Sequence, residues 1–292
     1  MKSLKSSIMV VALAASTVGV AAQPAAATNA QLLFGTTGAC NNVVRGGPCT
    51  QTSTLVQLDS STGALIREIG PVGFTVNGLA WDRHSKRLYA STAIGDVVFH
   101  GLITIDPDTG AGTPVATSVR NFGLDGADSP IHSITIDSRG NMVGWYDESP
   151  PPVGVTDTFV QIDKRTGIAT EFVNTGINTS QNGLSFDNDD RLWNIDASRI
   201  VGPGTTLTQT AFRLDPRNGH ALRSVQLSPP LDAALGDFNP DNGLYYGLNF
   251  VASFPQFPTL IVVVNVRTGT ASTLAQTLDG LHTLAFAKKV SK

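Results

Sequence analysis

Two of the five histidines, His132 and His282, occupy one place in two similar runs, IHSITI and LHTLAF. Asn77 in VNGLAW and Asn182 in QNGLSF stand at the same place. A neutral imidazole can take a proton from water as a general base, or ligate a divalent metal. A side-chain amide can orient a polar ligand through both a donor and an acceptor. His132 and His282 are therefore the candidate catalytic residues, and Asn77 and Asn182 the candidate ligand-binding residues. Asp232, in the segment LSPPLDAA, adds a nearby carboxylate to the ligand-binding set, with Asp125 and Asp128 in another adjoining loop. A divalent metal is a cofactor that two imidazoles and a carboxylate can hold. The residue types name neither the metal nor its ligands.

Residues from places as distant as 77 and 282 meet only if the chain closes on itself, and a repeat provides the closure. An apolar strand, then Asp or Asn, two variable residues, Thr or Asn, and Gly occurs five times: LVQLDSSTG, LITIDPDTG, FVQIDKRTG, FRLDPRNG and VVVNVRTG. The turn glycines Gly63, Gly110, Gly167, Gly219 and Gly269 lie 47, 57, 52 and 50 residues apart. Short strands at such a period mark a β-propeller. A second phrase, as in NGLAWDRHSKRLYAST, adds two strands around a tight polar turn, making four strands per repeat. The fifth copy, HTLAFAKK, lacks its second strand, and QLLFGTT near the start of the chain supplies one. The expected fold is all-β: a five-bladed β-propeller of four-stranded antiparallel blades, closed by pairing of the N- and C-terminal strands. That pairing leaves no open sheet edge in the ring.

The repeated acids read as turn residues. Asp59, Asp106, Asp163, Asp215 and Asn265 begin one turn, and Asp82, Asp137, Asp187 and Asn239 the other. A carboxylate or amide there accepts from backbone N–H groups two or three residues on. Both tight turns of each blade fall on one face. The longer, irregular connections fall on the other, where a site is expected. The four aligned polar residues start inner strands at that face, so they should converge on the mouth of the central channel.

The first residues have the pattern of an export signal. Lys2 and Lys5 precede the apolar run Ile8–Ala22, and small residues follow. Residues 1–27 are assigned to a signal peptide and short leader, cleaved near 22 or 27, and residues 28–292 to one propeller domain. The expected location is secreted or periplasmic. Cys40 and Cys49, the only cysteines, are expected to form a local disulfide there, worth roughly 2–3 kcal/mol by chain entropy. A net charge of −3 gives no footprint for nucleic acid, and no later stretch reaches the length of a membrane span. A monomer is expected.

The phrase GLAWDRHSKRLYAST followed by LITIDPDTG resembles the repeats of NHL-type, lactonase-like and gluconolactonase-like propellers over essentially the whole mature chain. A weaker resemblance is to plant-type glutamine cyclotransferases, through VNGLAWDRHSKRLY. That family's inner strands carry Gln-Gly-Leu and Glu-Gly-Leu with an acidic active-site residue, whereas VNGL, NGLS and GLHT here contain no Glu. The first resemblance implies a hydrolase or lyase acting on a small polar substrate. The residues also leave open a non-catalytic extracellular propeller that binds carbohydrate or protein. GxSxG, HExxH, GxxxxGK and EF-hand signatures are absent.

Overall fold

The computed structural model describes residues 31–37, 52–92, 101–116, 122, 131–146, 156–179, 183–196, 209–250 and 259–288. Residues 1–27, Cys40, Cys49 and Asn182 lie outside them. The described strands are short and rich in β-branched and aromatic residues, which suit a pleated, half-buried surface.

The described residues begin with β1 (Gln31–Thr37), β2 (Thr54–Leu58) and β3 (Leu65–Pro71). A second blade follows: β4 (Val76–Asp82), β5 (Arg87–Thr92), β6 (Leu102–Ile105) and β7 (Gly112–Pro114). The third is β8 (Ile131–Ile136), β9 (Met142–Tyr146), β10 (Thr158–Ile162) and β11 (Ala169–Asn174). The fourth is β12 (Gly183–Phe186), β13 (Leu192–Asp196), β14 (Thr210–Leu214) and β15 (Ala221–Gln226). The fifth is β16 (Ala234–Phe238), β17 (Tyr245–Phe250), β18 (Thr259–Asn265) and β19 (Thr270–Gln276). The last strand, β20 (Leu281–Lys288), pairs antiparallel with β1 and completes the first blade in the order β20-β1-β2-β3. All five sheets have four strands. The inner strands β20, β4, β8, β12 and β16 each neighbour the next, and β16 returns to β20. The protein is a five-bladed propeller closed by its two terminal strands.

The turns carry this architecture. Asp59 Oδ1 accepts from Ser61 N at 2.8 Å and Thr62 N at 2.9 Å. Asp106, Asp163, Asp215 and Asn265 accept from the backbone two residues on in the same way. The glycine four positions after each acid takes φ between 70° and 82°, a conformation costly for any side chain with a Cβ.

The core is divided among the seams rather than gathered in one centre. Five clusters of buried apolar residues lie between neighbouring blades. The large second-strand aromatics Tyr89, Trp145, Trp193 and Tyr245 belong to these clusters and are almost fully buried. Lys164 of blade 3 pairs with buried Asp82 of blade 2, adding a polar pin across one seam. Among the described residues no helix is long and apolar enough to cross a membrane.

Candidate functional site

In three blades the ladder slips by one residue near the start of the inner strand. Val76 faces Thr92 and Gly78 faces Ser91, so Asn77 has no residue opposite. Ile131 faces Tyr146 and Ser133 faces Trp145, which leaves out His132. Thr283 faces Thr36 and Leu281 faces Thr37, which leaves out His282. Each slip is a β-bulge, which takes one residue out of the pairing and re-aims its side chain. Ser91 Oγ accepts the Gly78 amide at 2.9 Å, so the interrupted ladder stays satisfied. Gly78 is needed for packing: a Cβ there would lie 3.0 Å from the His132 carbonyl oxygen and 2.8 Å from Ser91 Oγ. In blade 5, Ala234 keeps its partner Leu248 and the slip comes later, at Leu235–Gly236.

The bulges bring Asn77 and His282 together. His282 Nε2 lies 3.1 Å from Asn77 Oδ1. With that oxygen as acceptor, the neutral ring carries its proton on Nε2. Burial pushes the His282 pKa down to about 4, and the neighbouring His132 adds to the shift. His132 falls to about 4 as well, through burial alone. The strands that carry the two histidines, β20 and β8, both flank β4, which carries Asn77. Both keep some accessible surface, as side chains lining a narrow mouth do. His132 Nδ1 is buried with no hydrogen-bond partner. At neutral pH both rings are therefore uncharged. Asp232 accepts from Gln209 Nε2 at 2.9 Å and contributes to neither histidine's shift. The structure thus brings together three of the five residues named from sequence. Asp232 accepts from Gln209, and Asn182 lies outside the described residues.

No protein-family model matches the sequence, and no curated protein matches it either. Solved structures do resemble it. A luciferin-regenerating enzyme superposes with TM-score 0.46 at 14% identity, covering 80% of this chain and 75% of that one. A gluconolactonase from Xanthomonas campestris gives TM-score 0.45 at 12% identity over 78% and 73% of the two chains. A protein of unknown function from Bacteroides caccae gives 0.45 at 12% over 89% and 99%. At these scores the likeness carries no functional argument.

Among the described residues no group of three or more His, Cys, Asp or Glu gathers where a metal could sit. His282 gives Nε2 to Asn77, and Asp232 is turned to Gln209. These donors do not complete a metal shell.

A residue that sequence reasoning missed lies one step further down the channel. Asp237 occupies the row of Ala80, Thr135, Ser185 and Ala285. Its Oδ1 accepts from Ser185 Oγ at 2.6 Å and Phe238 N at 2.8 Å, and its Oδ2 from Phe286 N at 2.8 Å. It therefore joins blades 4, 5 and 1. Burial raises its pKa above the ordinary carboxylate range, against the pull of those bonds and of the Arg83 charge. Asp237 borders a cleft at the tight-turn end of the channel, with Trp81, Arg83, Ile136, Phe186 and Phe286. The signal available in the sequence was a lone acid where the other inner strands carry Ala, Thr or Ser.

Proposed function

We propose that the chain is an exported hydrolase whose small polar substrate, an ester or lactone, binds at the long-loop mouth of the channel. The observation that supports this is the pair of neutral imidazoles on the bulges of blades 1 and 3, to either side of Asn77 on blade 2, one of them with an unpartnered buried nitrogen. A buried polar atom without a partner is costly unless water or a ligand satisfies it. A water held by His132 is the nucleophile: His132 takes its proton as the oxygen attacks the carbonyl carbon, and gives that proton to the alkoxide oxygen released when the acyl C–O bond breaks. His282 is the second catalytic imidazole, fixed in tautomer by Asn77. Asn182 and Asp232 complete the ligand-binding set. Low pKa values keep both rings unprotonated well below neutral pH.

Export, a Cys40–Cys49 bond and a single-chain state belong to the same proposal. N-terminal sequencing of secreted protein should begin near residue 23 or 28, and non-reduced mass spectrometry should show the linked cysteines. For activity, the secreted protein is assayed on a panel of small lactones and esters. His132→Ala is expected to lower kcat by about 10²–10⁴-fold, the usual worth of a general base, with an unchanged unfolding midpoint. His282→Ala and Asn77→Ala should also lower it. Wild-type protein inert toward the whole panel, or full activity in His132→Ala, would sink the assignment.

A further inference from the structure

A row of side chains crosses blade 4 from the channel to the rim. Ser185 faces Trp193, Trp193 faces Arg213, and Arg213 faces Arg223. Residues directly opposite one another share a face of the sheet. The first two identify that face: Ser185 Oγ donates to Asp237 of blade 5, and Trp193 packs in the core between blades 4 and 5. The row therefore ends in two arginines at the outer part of that seam. Arg267, in the turn after β18, meets them from blade 5. Its carbonyl accepts from Arg223 Nη2 at 3.4 Å, and its guanidinium donates to Asp189 at 3.2 Å.

Like charges directly opposite on neighbouring strands are destabilising, with Cβ atoms about 4.5–5.5 Å apart. A protein that keeps such a pair usually places an acid between the two charges, and here none does so. Among the described residues the Arg213 side chain makes no hydrogen bond or ion pair, and the Arg223 side chain donates only to the carbonyl of Arg267. The acids nearby in the chain are engaged elsewhere. Asp215 binds Arg217, Asp187 binds Arg191, and Asp189 binds Arg191 and Arg267. Arg213 is also half-buried, where a charge is less screened than on the open surface. The chain as a whole is acidic, at −3, so the concentration of positive charge is local.

We infer that Arg213 and Arg223 form a binding site for one oxyanionic group, a sulfate, phosphate or carboxylate, gripped between two guanidinium forks. Arginine suits this role because its planar fork makes paired, charge-assisted hydrogen bonds to such groups. The bound anion supplies the negative charge that the strand pair lacks. The site lies on the flank of the ring, away from the histidines at the mouth, and does not depend on their role.

Three probes separate the sources of the anion: inorganic sulfate, dextran sulfate and polygalacturonate, each titrated calorimetrically at matched ionic strength. Binding of inorganic sulfate identifies a free-ion site. Binding of only a polymer identifies a group carried on an acidic glycan. Arg213→Gln/Arg223→Gln should weaken whichever interaction is found by about tenfold or more, given the strength of charge-assisted bonds. Arg139→Gln, an exposed turn arginine in blade 3, should leave it unchanged. Without anion, the double variant should unfold at the same temperature or higher, because a repulsion has gone. A less stable double variant would mean that the arginines serve packing, and would overturn the proposal. So would the failure of all three probes to bind wild type, or an equal loss in Arg139→Gln.

Discussion

The two ends of the channel use the same strands in opposite ways. At the tight-turn end, side chains are committed to the backbone. Asp137 accepts from Arg139 N at 3.0 Å and Asn141 N at 2.8 Å, and Asp187 accepts from Asp189 N and Arg191 N at 2.9 and 3.0 Å. At the long-loop mouth the ladder is broken by bulges, and His132 keeps a buried nitrogen without a partner. One end of these inner strands anchors a turn to the backbone, while in three blades the other end carries a bulge. Polar residues of one repeat thus have different worth according to the end they occupy.

The largest test removes both ends of one inner strand at once. Truncation before Leu281 deletes β20 and the seams it closes, and cooperative thermal unfolding should vanish. A sharp transition in the truncated chain would show that four complete blades suffice. Next, Asp237→Ala should destabilise by about 3 kcal/mol, as expected when one member of a buried polar network is removed. Chemical denaturation measures it, and a loss close to zero would place Asp237 outside the fold's support.

Acid should then distinguish the mouth. The unfolded chain takes up protons on histidines near the ordinary 6.5, whereas folded His132 and His282 resist until about 4. The unfolded state therefore binds more protons throughout this window, and stability must fall as pH drops from 6.5 toward 4. His132→Ala and His282→Ala should flatten that dependence, and an unchanged slope in both variants would contradict the burial of the rings. The smallest effect belongs to a single exposed turn: Asp59→Ala should cost at most about 1 kcal/mol. A much larger loss would mean that one turn acts for the whole ring.

The fold was legible because turn chemistry repeats. The same acid-to-glycine phrase marks the same turn five times, and the strand missing after HTLAFAKK matches QLLFGTT. Asn77, His132 and His282 were legible through their common place before Gly78, Ser133 and Thr283. The bulges that turn them out were not, because a bulge belongs to a pair of strands and cannot be read from one. Asp237 was hidden for a related reason: its partners Ser185 and Phe286 come from blades far away in sequence. The facing of Arg213 and Arg223 depends on the slip that skips Leu222, so spacing alone does not disclose it. Asn182, the cysteine pair and the leader lie beyond the described residues.

Closure by β1 and β20 also has a mechanical side. Gln31 stands opposite Lys288, Leu32 opposite Ala287 and Leu33 opposite Phe286. A force drawing the two terminal strands apart at that end meets these pairs one after another, never all together. The joint that seals the ring against heat therefore opens like a zip under tension. Tension between the two chain ends thus loads the Gln31–Lys288 end of the joint first.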